Sequence, residues 1–167
     1  MNLAETTATI IQTVLAHYPV TQAIYLFGSY GAGNAWPDSD ADIALLFTPE
    51  QAKAEHNLLL SQCRFDLEDA LSKEVDLLNA RQVSTVFQKE IIGGVRIYCA
   101  DPYAADEFEM LVISYYQKLN QERLKILDLA KRVSMHHVHF TRLFQRCTGM
   151  APRDYLLEKK IEKAKDF

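Results

Sequence analysis

The sequence predicts an α/β fold: a small mixed β-sheet with flanking helices, followed by a helical C-terminal appendage. Short apolar runs of strand length, around residues 23–27, 43–47, 74–78 and 95–99, alternate with longer stretches whose apolar residues recur at helical spacing. Charge divides the chain a second way. Residues 129–167 carry a balance of +5, whereas the preceding 128 carry −9, which together give the net −4. Residues 1–128 therefore read as one domain and residues 129–167 as a piece of different character.

Each element has its own local reason. Ile10, Ile11, Val14 and Leu15 form a helical stripe that Tyr18-Pro19 ends. A buried strand then runs to Phe27, and a Gly/Asn/Pro loop leads to a second strand ending at Phe47. Pro49-Glu50 opens a helix expected to continue to Leu71, with Leu58, Leu59, Cys63, Leu67 and Leu71 inward. The strand containing Asp76 follows. A helix over about 82–92 stops at Gly93-Gly94, ahead of the last strand. Asp101-Pro102 starts a long helix over about 104–132, with Phe108, Leu111, Val112, Tyr115, Leu119, Ile126 and Ala130 as its core stripe.

The chemistry concentrates in residues 28–42, GSYGAGNAWPDSDAD. Side chains alternate along a strand, so Asp40 and Asp42 point the same way, one pleat apart. Carboxylates so placed repel unless a cation sits between them, and magnesium, which prefers hard oxygen ligands, suits the position. Gly28 permits close backbone approach to a polyphosphate, whose oxygens the N–H groups and the Ser29 hydroxyl can bind. The plainer alternative is a turn glycine followed by solvated acids. Asp38, between Pro37 and Ser39, reads as a turn residue rather than a ligand.

G-S, ten residues, then D-x-D resembles the signature of the DNA polymerase β-type nucleotidyltransferase superfamily. The size and the short N-terminal helix resemble its smallest branch, the minimal nucleotidyltransferases (MNT) that act as antitoxins to HEPN toxins; the resemblance covers residues 1–128. It implies a third carboxylate on a neighbouring strand, for which Asp76 is the candidate. It implies magnesium held by Asp40, Asp42 and Asp76, and ATP bound at Gly28 and Ser29. It further implies AMP transfer to a tyrosine of a cognate HEPN ribonuclease toxin, with Asp76 taking the acceptor proton. Ala32 stands where the family often has a basic residue, which leaves open a non-catalytic antitoxin that acts by binding.

The tail is similar to part of an AraC/XylS-type DNA-binding domain, matching one helix-turn-helix and the start of the linking helix. That likeness implies a recognition helix over 137–146, with His137, Thr141, Arg142 and Arg146 as DNA-contacting candidates, Gly149 as C-cap and Pro152 opening the next helix. Ser134 occupies the usual glycine of the turn. His136 replaces the usual serine N-cap, a loss of about 1 kcal/mol. A DNA-binding regulator and an amphipathic hairpin that binds nothing are both compatible with this segment.

Composition limits the remaining classes. Apolar residues at 49% and charged residues at 24% are ordinary for a globular protein. Three cysteines without metal-site spacing point to free thiols in a reducing cytoplasm. The sequence contains neither a secretory-signal pattern nor an apolar run of bilayer length, so no membrane association is expected.

Overall fold

The computed structural model describes residues 3–28, 40–55 and 57–165; Ser29, Ala32 and Asp38 lie outside them. Two compact units result, residues 1–114 and 115–167.

The first unit is built on a four-stranded sheet in the order β3-β2-β1-β4. Its strands are β1 (Ala23–Phe27), β2 (Ala41–Leu46), β3 (Val75–Asn79) and β4 (Val95–Cys99). β1 runs antiparallel to β2 and β4, while β2 and β3 are parallel, so the sheet is mixed. Both faces are covered, which is why β1 is buried at every position rather than alternating. One face carries Ile24, Leu26, Ile43, Leu45, Val75 and Leu77 against Ile10 and Val14 of α1 (Leu3–His17) and Cys63, Leu67 and Leu71 of α3 (Gln62–Leu71). The other carries Tyr25, Phe27, Ala44 and Leu46 against Ile91 of α4 (Thr85–Ile92) and Ala105, Phe108 and Val112 of α5 (Pro102–Arg132).

The expected single helix from Pro49 to Leu71 is broken in two. α2 covers only Pro49–Ala54, and a 3₁₀ turn at Leu58–Leu60 precedes α3. Asn79 donates from Nδ2 to the carbonyls of Ala52 (3.0 Å) and Glu55 (3.2 Å), satisfying the open end of α2. Ser61 restarts the helix as N-cap, its hydroxyl accepting from the Arg64 N–H at 3.2 Å. Leu59 consequently faces outward, 43% exposed, while Leu58 is buried. α4 begins at Thr85, later than expected, because Ser84 caps it. On α5 the buried hydrophobic residues are Ala105, Phe108, Val112 and, in the second unit, Ala130; Leu111 and Tyr115, expected in the core, are exposed.

In the second unit the last turns of α5 lead to α6 (His137–Thr148) and α7 (Pro152–Lys165). The turn uses Ser134 at φ +53°, the left-handed geometry for which glycine is the usual choice. His136 caps α6 by position only, with no side-chain hydrogen bond, and Gly149 ends it at φ +78°. Phe144 lies between Phe140 (5.7 Å) and Tyr155 (5.4 Å), and Arg153 pairs with Glu122 at 3.2 Å. α6 has no buried residue. Among the described residues no helix is long and apolar enough to cross a membrane.

Candidate active site

One end of the sheet gathers the acidic residues. β2 is flanked there by β1 and β3, and Asp42 is in register with Phe27 on one side and Asp76 on the other. Cross-strand partners share a face, so the Asp42 and Asp76 side chains project together. The Ala41 N–H donates to the Glu74 carbonyl at 2.9 Å, which fixes the start of β2 against the start of β3. Asp40 immediately precedes β2 and is exposed, as is Asp76; Asp42 is partly buried. Burial pushes the Asp42 carboxyl above its ordinary range, and the charges of Asp76 and then Asp40 push the same way. The charges of Asp76 and Asp40 thus both reach the Asp42 carboxyl.

Gly28 follows β1 at φ +64°. A Cβ at that position would lie 2.0 Å from Asp42 Oδ2, so only glycine lets the backbone lie against the carboxylate. Of the residues singled out in the sequence, Gly28, Asp40, Asp42 and Asp76 come together; Ser29 lies outside the described residues. His137, Thr141, Arg142 and Arg146 all lie on α6. The Thr141 hydroxyl donates to its own helix, at the His137 carbonyl, 2.9 Å away.

Hard carboxylate oxygens, with the charges of Asp76 and Asp40 acting on Asp42, are donors suited to a divalent cation. Among the described residues no group of three or more His, Cys, Asp or Glu side chains is placed so that it could hold a metal ion. Magnesium does not require one, because it commonly takes one or two carboxylates and completes its shell with water and phosphate oxygens.

A mixed sheet with a glycine turn beside in-register carboxylates defines a nucleotidyltransferase. The chain belongs to that family: the polymerase beta nucleotidyltransferase model matches residues 9–103. It is 34% identical over 119 residues to the protein adenylyltransferase MntA of Shewanella oneidensis, covering 71% of this chain and 83% of the relative. Among solved structures it is similar to a chain of a toxin–antitoxin complex with AMP-PNP, at 31% identity and TM-score 0.58, covering 75% of this chain and 98% of that one. It also resembles a chain of the complex of tri-AMPylated Shewanella oneidensis HEPN toxin with MNT antitoxin, at 28% identity and TM-score 0.56, covering 77% and 98%.

The sequence reading missed a polar group on the same face of the sheet. Tyr25 donates its hydroxyl to Glu109 at 3.0 Å, and Arg96 pairs with Asp106 at 2.8 Å and with Glu109 at 3.3 Å. Burial, reinforced by the Glu109 charge, pushes the Tyr25 phenol well up and keeps it a donor. The group ties α5 to β1 and β4. Its only sequence signal is a tyrosine in an otherwise apolar strand, which must find a partner for its hydroxyl.

Proposed function

We propose that this chain is an antitoxin that transfers AMP from ATP to a tyrosine of a cognate HEPN ribonuclease toxin and so inactivates it. The observation that carries this reading is the register of Asp42 with Asp76, beside a Gly28 turn that lies against the Asp42 carboxylate. The relatives support the substrate and partner: one is named a protein adenylyltransferase, and another was solved with an AMPylated HEPN toxin.

In the transfer, the tyrosine oxygen bonds to the α-phosphorus and the bond to the bridging oxygen breaks, releasing pyrophosphate. Gly28 and Ser29 would take the triphosphate through backbone N–H groups and the hydroxyl. Asp76, exposed on the edge strand, accepts the acceptor's proton. Asp40, Asp42 and Asp76 would hold magnesium, which when bound offsets charge on the phosphate, attacking and leaving oxygens.

In this reading the tail contributes only a weak, sequence-insensitive attraction to nucleic-acid phosphates. Its Thr141 hydroxyl is returned to its own helix, and a single helix-turn-helix generally needs a second half-site reader.

The test is co-expression with the toxin, followed by the intact mass of the purified partner. The wild-type chain should add the mass of one or more AMP groups, and a chain carrying Asp40→Asn and Asp42→Asn should add none while remaining folded. A toxin bound and silenced by the wild type with no added mass contradicts transfer and favours action by binding alone.

A further inference from the structure

We propose that Phe87 is the stacking platform for the base of the nucleotide, a binding contact that rests on the nucleotide-transfer reading above. Phe27 is the register partner of Asp42, so its ring stands on the carboxylate face one strand away. Phe87 meets that ring edge-on, with centroids 5.7 Å apart and planes at 88°. The two rings differ in what they leave to solvent: Phe27 is 3% exposed and Phe87 is 40% exposed. The aromatic surface that reaches solvent therefore stands one ring away from the residue that neighbours Asp42 and precedes Gly28.

Phe87 is also held in place. In the first turn of α4 the Phe87 N–H donates to the Ser84 hydroxyl at 3.3 Å. At the other end of the helix, Gly94 packs so tightly on the end of β1 that a Cβ there would lie 2.5 Å from the Leu26 carbonyl oxygen and 2.8 Å from Phe27 Cα. Ser84 thus caps the start of α4, and Gly94 fixes its far end against the strand that leads into the Gly28 turn.

A nucleotide whose phosphates lie at Gly28 and the carboxylates must place its base on a nearby surface. An apolar ring anchored against a second ring supplies one, because every base has a π face and stacking needs no hydrogen-bond partner. A contact of this kind favours larger bases and discriminates weakly between adenine and guanine.

The experiment measures binding by the full-length chain, by titration calorimetry in magnesium-containing buffer. The probes are ATP, GTP and inorganic tripolyphosphate, which has no base. The chains are wild type, Phe87→Ala, Phe87→Leu and Phe87→Trp. Phe87→Ala should weaken ATP and GTP about 10-fold and leave tripolyphosphate unchanged. Phe87→Trp should keep wild-type affinity, and Phe87→Leu, which restores bulk without a π face, should not. The proposal is overturned if Leu restores affinity as fully as Trp, or if ATP and tripolyphosphate weaken together. ATP binding that is indifferent to residue 87 removes this proposal alone. A wild-type chain that binds neither ATP nor tripolyphosphate removes the nucleotide-transfer reading as well.

Discussion

The two units of this chain are built to different standards of packing. Residues 1–114 place apolar side chains on both faces of a sheet, where Ile24, Ile43, Leu45, Leu67 and Leu77 have no solvent exposure. Among the described residues of the second unit, the buried apolar side chains are Ala130 and Pro152, and Val133, Val138, Leu143 and Leu157 stay exposed. Helix α6 meets α7 where the Phe144 ring stands edge-on to Tyr155, and Arg153 of α7 pairs with the buried Glu122 of α5. Catalytic geometry needs side chains held by a rigid frame, and only the first unit provides that. The candidate site lies there, on β2, whose register is fixed from both sides, and on the edge strand β3 paired to it.

The contrast can be broken most forcefully by deleting bulk from each unit. Leu45→Ala removes a fully buried side chain between β1 and β3 and should cost about 2–5 kcal/mol of unfolding free energy. Leu143→Ala, at a 37% exposed position on α6, should cost less than about 1 kcal/mol. Urea unfolding followed by circular dichroism reads both. Equal losses would show that the tail is packed as firmly as the domain.

A smaller effect on stability, with a larger one on chemistry, is expected at the turn. Gly28→Ala imposes a left-handed conformation on an L-residue, which costs about 1–2 kcal/mol. Its methyl group would also lie 2.0 Å from Asp42 Oδ2, a clash that displaces the carboxylate. The Tm should fall modestly, while label transfer from α-labelled ATP falls by about 100-fold or more, because the carboxylate must move. Transfer that falls only in proportion to folded protein would reduce Gly28 to a turn residue.

Much of the site was legible because strand periodicity is short and strict. D-x-D at the start of an apolar run led to Asp42 on β2, with Asp40 just before the strand, and an isolated Asp in the next apolar run led to Asp76 on β3. The parallel pairing that aligns Asp76 with Asp42 is a tertiary fact to which that pattern only points. The break between α2 and α3 was hidden because both pieces keep inward leucines at helical spacing. What divides them is the Asn79 side chain on the carbonyls of Ala52 and Glu55, from a residue far along the chain. Leu111 and Tyr115 fit a helical stripe on paper, but the sheet is wide enough to cover only the narrower face through Ala105, Phe108 and Val112. The tail's turn was legible in its residues, Ser134 and Gly149 both adopting positive φ. A role in binding DNA cannot be read from backbone geometry, because base contacts depend on a partner's grooves.

The most direct test of where the chemistry lies is label transfer from α-labelled ATP to the purified toxin, comparing two altered chains with wild type. One carries Asp76→Asn; the other ends after Arg132. Asp76 is exposed, so the Asn variant should keep its fold and Tm, yet transfer should fall on the order of 100- to 1,000-fold. The shortened chain, which keeps the whole sheet and α5, should transfer within about twofold of wild type, in line with the usual small effect of changes away from the site. Undiminished labelling by Asp76→Asn, or loss of labelling in the shortened chain, would contradict a centre built from the in-register carboxylates of β2 and β3.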